Sequence, residues 1–86
     1  MIEKFIINYI EKIKKEDIID FGLKYNINLN NTETDFIYEN IKKNWRELVY
    51  GNPTPIFNEL KKISPSNYQK IEELYIEFKN KYQNYL

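Results

Sequence analysis

The chain has 86 residues, thirteen basic and thirteen acidic side chains, eight tyrosines, and neither cysteine nor histidine. That length holds one domain, residues 1–86, near the size at which a single apolar core is only just sufficient, and the missing cysteine and histidine exclude disulfides and the usual zinc sites. The cancelled charge excludes long-range attraction to nucleic acid or to an anionic membrane, leaving only a local patch to recruit either.

Ile2, Phe5, Ile6, Tyr9, Ile10 and Ile13 recur at spacings of three and four, which predicts an amphipathic first helix with these residues on one stripe. Glu3, Lys4, Glu11 and Lys12 occupy its other face, and Lys14-Lys15 suits the negative end of its dipole. This charge density is too high for a signal peptide, and no run approaches the roughly 20 apolar residues of a membrane helix. A cytoplasmic protein is expected.

Glu16 and Asp17 open a second, shorter helix that carries Ile18, Ile19, Phe21, Leu23 and Tyr25 and stops at Asn26. Gly22 within it costs about 1 kcal/mol against alanine, so the position is read as a close approach by another helix. Ile27-Asn28-Leu29-Asn30 alternates as an extended linker does, with both apolar side chains turned inward. Asn30 or Asn31 then caps a long third helix, with Glu33 reaching back. Phe36, Ile37, Ile41, Trp45, Leu48 and Val49 keep the helical period until Gly51-Asn52-Pro53 ends it.

Thr54-Pro55 and Ser64-Pro65 each read as a hydroxyl cap followed by proline at the first helical position. The fourth helix is short, with Ile56, Phe57, Leu60 and Ile63 inward. A long fifth carries Tyr68, Ile71, Leu74, Tyr75, Phe78, Tyr82 and Tyr85 on one side. No segment alternates as a strand between hairpin turns. The fold expected is all-α, a compact bundle of about five helices framed by the third and fifth.

Alanine is absent, and isoleucine, tyrosine and phenylalanine supply the core material. These are middling helix formers, so the helices depend on tertiary packing. Abundant lysine and asparagine beside a single arginine, Arg46, reflect an AT-rich bacterial coding bias.

Catalysis finds no equipment. A nucleophile needs a base within hydrogen-bond reach, whereas Ser64 and Ser66 sit in a cap, and neighbouring carboxylates such as Glu16-Asp17 and Glu72-Glu73 diverge on a helix. Asn31, Glu33 and Asp35 are spaced like the first ligands of a calcium loop, but Phe36 stands where the glycine belongs and no bidentate glutamate follows. With only Gly22 and Gly51, there is no phosphate-binding loop. No catalytic residue, cofactor or metal is expected.

Two surfaces remain as candidates. The helix, extended segment and capped helix from Asp17 onward share the layout of SAP-like nucleic-acid modules, with Lys42, Lys43 and Arg46 offering charge and Trp45 a stacking face. Glu33, Asp35, Glu39 and Glu47 on the same helix oppose that reading. The second is aromatic: Tyr68, Tyr75 and Tyr82, seven apart, form a seam along the last helix, continued by Tyr85 and flanked by Ile76. It is either the edge of the core, with hydroxyls in water, or a surface for a second chain.

The run from Asp17 to Leu29, the stretch Asn52 to Phe57 and the closing Lys70 to Phe78 resemble a family of short helical proteins of unknown function from Gram-positive Firmicutes. Trp45, Pro53 and Pro55 depart from its pattern. The resemblance implies a helical fold and carries no functional residue. With no other equipment, a non-enzymatic protein–protein interaction module is expected, binding itself or another protein through the last helix, with nucleic-acid binding as the alternative.

Overall fold

The computed structural model of the chain describes residues 2–82, and the side chains of residues 3–81. Five helices follow in order: α1 (Ile2–Lys12), α2 (Lys15–Lys24), α3 (Asn31–Val49), α4 (Thr54–Ile63) and α5 (Tyr68–Tyr82). No strand occurs among the described residues. The long α3 is the frame: α1, α2 and α4 all pack against it, and α5 packs on α4. The result is a compact bundle with a radius of gyration of 12.5 Å.

Local chemistry explains each boundary. After α2, the Asn26 and Ile27 amides return to the Leu23 and Gly22 carbonyls at 3.1 and 2.8 Å, with Asn26 at φ 63°. Asparagine tolerates that left-handed conformation, so the helix stops at the predicted residue. The turn folds the chain back over Gly22, where an added Cβ would lie 2.9 Å from the Ile27 carbonyl oxygen. What Gly22 admits is therefore the chain's own return segment, not another helix. Ile27 is buried as a consequence, and Leu29 half-buried.

At α3 the Asn30 side chain accepts from the Glu33 amide, and the Glu33 carboxylate accepts from the Asn30 amide, both at 2.8 Å, closing the predicted capping box. A kink at Asn44 (φ −123°, ψ 23°) interrupts α3. Just ahead of it the Asn40 side chain donates to the Phe36 carbonyl, competing with the helix backbone, and Asn44 donates to the Asn40 side chain.

Three sequence expectations change. The end of α1 is capped by Lys42, whose ammonium donates to the Ile10 and Glu11 carbonyls at 2.5 and 3.2 Å; Lys14 and Lys15 instead open α2. Thr54 does not cap α4. Asn52 accepts the Thr54 amide at 3.1 Å and Pro53 takes the cap position, because asparagine readily bonds two residues ahead. Ser64 closes α4, and residues 65–67 form a turn before α5 begins at Tyr68. The Ser64 hydroxyl is used elsewhere.

Candidate functional site

The Ser64 hydroxyl donates to Glu33, 31 residues away in sequence. Glu33 is only 2% exposed and has no basic partner among the described residues; the Asn30 amide, Ser64 and the Asn67 side chain supply its hydrogen bonds. Asn67 also donates to the Asn28 carbonyl at 3.2 Å. A carboxylate without bonded donors could not be buried at tolerable cost, and here its donors come from the α2–α3 linker and the α4–α5 turn. The cluster therefore ties three parts of the chain together. It also disposes of the calcium-like spacing, since Glu33 turns inward, Asn31 is exposed and Asp35 pairs with Lys15 at 2.9 Å. Among the described residues no group of acidic side chains is arranged to hold a metal ion.

The cationic residues near the end of α3 are occupied within the chain. Lys42 caps α1 and stands 5.5 Å from the Tyr38 ring. Lys43 pairs with Glu39 at 2.9 Å, and Arg46 lies over the Trp45 ring while reaching Glu3 at 3.5 Å. Trp45 is buried and packs near Tyr50, so its face is not open for a base.

The tyrosine seam divides. Tyr75 is half-buried, stacks on Phe57 at 5.1 Å and donates its hydroxyl to the Leu48 carbonyl, which makes it a strut between α5, α4 and α3. Tyr68 is half-buried beneath the Lys61 ammonium. Ile76 faces outward, 48% exposed. The Tyr82 side chain and Tyr85 lie outside the described residues.

A different feature lies between the helices. The five helices do not close over their own core but leave an open apolar groove of about 710 Å³. Ile6 and Ile13 of α1, Ile18 and Phe21 of α2, Ile37 and Leu48 of α3, Leu60 of α4, and Leu74, Tyr75 and Phe78 of α5 line it. The polar exceptions are Asp17, Asn40 and Lys79. That volume lies within the range of small-molecule pockets and peptide-binding clefts.

Its open side is aromatic. Tyr9, 64% exposed, and Phe21, 44% exposed, line it, Phe5, 75% exposed, lies one turn before Tyr9 on α1, and Phe21, Tyr25 and Phe78 form a ring cluster with centroids 5.0 to 5.7 Å apart. A second hollow lies where Tyr9 and Phe21 meet Lys12, Asp17, Asp20 and Lys24. Sequence reasoning placed Phe5, Tyr9 and Phe21 among core residues and missed them as surface. The signal lay in the width of the first stripe: at 100° per residue it spans about 140° from Phe5 to Ile10, wider than the roughly 100° one packed face needs. Ile10 took the buried edge and Phe5 and Tyr9 the open one.

No family model matches the chain, and neither a curated protein nor a solved structure matches it.

Proposed function

We propose that the protein is a non-enzymatic interaction module, acting in the bacterial cytoplasm, that binds a protein chain through its open groove. The observation that carries this reading is that Tyr9 and Phe21, which line the groove, are largely in water, with exposed Phe5 one turn before Tyr9 on the same helix. Large aromatic rings left in water beside an unfilled apolar cleft mark a surface that gains from being covered. These three rings alone expose on the order of 350 Å². The partner surface moves accordingly. Of the α5 residues expected to form it, Tyr75 serves as a groove wall and Ile76 as an exposed flank, while α1 and α2 supply the rim. The nucleic-acid alternative loses support because Lys42, Lys43 and Arg46 each already hold an intramolecular partner. Membership of the Firmicute family rests on the quoted runs alone.

Capture from a lysate of the source cells, with and without nuclease, tests the reading when the wild-type chain is run beside a Phe5→Ser/Tyr9→Lys variant. Both positions are exposed, so the variant is expected to fold. Proteins retained by the wild type after nuclease and lost by the variant support the module. Capture that vanishes with nuclease supports nucleic-acid binding, and capture indifferent to the variant moves the surface elsewhere.

A further inference from the structure

We infer that α5 is a hinged wall of the groove, which swings out as a unit on the turn at residues 65–67 while α1 to α4 stay folded. The inference concerns how the groove opens rather than what it holds, so it stands apart from the module reading.

Burial separates α5 from the other four helices. Ile10 of α1, Ile18 of α2, Trp45 of α3 and Leu60 of α4 are buried, whereas no side chain from Tyr68 to Lys81 is. The apolar face of α5 is not small. Ile71, Leu74, Tyr75 and Phe78 all line the groove, and all four are half-buried. A helix in a chain of this size is held by packing of its apolar face rather than by propensity. A face that borders an unfilled groove forgoes part of that hold.

The tethers of α5 differ along its length. The turn before it is pinned by directional bonds, with Ser64 donating to Glu33, and Asn67 to Glu33 and to the Asn28 carbonyl at 3.2 Å. Between these anchors Pro65 and Ser66 are exposed, which leaves the turn free to absorb a rotation. Beyond the turn, α5 packs on α4, sets the Tyr75 hydroxyl on the Leu48 carbonyl, and places the Phe78 ring against Phe21 and Tyr25. Phe21 and Tyr25 are 44% and 38% exposed, so parting those rings wets less new surface than parting buried ones. By contrast, α1 packs on α3 with Ile10 buried, its last carbonyls capped by Lys42 and its Glu3 on Arg46. Elements with little buried apolar contact open at the lowest free energy. Since α5 supplies one wall of the groove, its swing sets the groove's width.

Site-resolved hydrogen exchange of the full chain by NMR, with no partner present, tests the inference independently of the capture experiment. The amides from Glu72 to Phe78 are expected to share one protection factor, about tenfold or more below the slowest amides of α3 and α4. The Ser64 amide, bonded to the Leu60 carbonyl at 2.7 Å, is expected to exchange with α4, which puts the pivot after it. Two conservative variants identify the opening. Tyr75→Phe removes the bond to the Leu48 carbonyl and is expected to lower protection in α5 by about fivefold. Ile10→Val thins the core that stays closed, so the slowest amides of α1 to α4 are expected to lose about fivefold while α5 changes by less than about twofold. Protection in α5 equal to that in α3, or an Ile10→Val loss shared by α5, means that the helix opens only when the whole chain unfolds and overturns the inference. Protection that falls steadily from Tyr68 toward Tyr82, or a Tyr75→Phe variant that exchanges like the wild type in α5, reduces the motion to fraying of an end and overturns it equally.

Discussion

Around the start of α3, polar groups from three segments meet a buried carboxylate, and every buried side-chain nitrogen and oxygen among the described residues has a hydrogen-bond partner. Between the five helices, apolar side chains meet one another but leave a groove with aromatic rings in water. The two regions draw on different physics. Hydrogen bonds are directional, so a cluster like that at Glu33 accepts one arrangement. Apolar contact has no direction, so a surface of isoleucine and phenylalanine can be completed by any matching surface, including one on another molecule.

The largest effect should come from the floor on which both regions rest. Leu60 is 2% exposed and lines the inner wall of the groove. Leu60→Ala is expected to cost about 2–5 kcal/mol, a large share of the roughly 4–13 kcal/mol that a chain of this length holds in all. Urea unfolding followed by circular dichroism should therefore show a strongly lowered midpoint. A loss under about 1 kcal/mol would mean that the groove floor is as slack as its rim, and the contrast between the regions would fail.

Next comes the polar cluster. Glu33→Ala removes an acceptor and leaves the Asn30 amide, Ser64 and Asn67 without it, which is expected to cost about 2–3 kcal/mol. A Glu33→Ala/Ser64→Ala double variant should lose less than the sum of the two single variants, because each removes the same bond. Additive losses would show that the two residues act independently and that the tie between α3 and the α4–α5 turn is not energetic.

How much of this was legible follows the same division. The Asn26 stop, the Asn30–Glu33 capping box and the buried Trp45 depend on local patterning, and a sequence displays such features directly. The bond from Ser64 to Glu33 spans 31 positions and joins two residues that each had a sufficient local explanation as a cap. Nothing in either local motif points to the other. Thr54 shows a smaller version of the problem, since Asn52 two residues earlier competes for the same amide and wins. The helices and their apolar faces were readable, but which edge of the α1 stripe would be buried was decided by where α3 lies, and that is a tertiary fact. Within the α5 seam, Tyr75 resolves into a strut because the Leu48 carbonyl stands within its reach.

The rim should respond differently from the floor. Tyr9→Ser changes a ring that is 64% exposed, and surface substitutions usually stay within about 0.5 kcal/mol. The urea midpoint of the variant should therefore barely move from that of the wild type. A midpoint that falls by several kcal/mol's equivalent would make Tyr9 part of the core and erase the distinction between rim and floor.

The smallest effect concerns the ion pair that joins the start of α2 to α3. Lys15 reaches Asp35 at 2.9 Å, with both side chains about half in water. The hydrogen bond and then the charge of Asp35 raise the Lys15 ammonium above its ordinary 10.5. A raised folded-state value means that the ammonium is held more tightly in the folded chain than in the unfolded one. Its contribution is therefore complete below the ordinary value and is lost as pH rises through the higher folded one. Asp35→Asn should leave the urea midpoint at neutral pH nearly unchanged, because exposed pairs are screened and pay entropy to hold two long side chains still. The difference between wild type and variant should shrink further above pH 10.5 and be weakened by salt throughout. A large loss at neutral pH that salt does not touch would assign Asp35 to the same directional network as Glu33, extending the well-specified region along α3 toward α2.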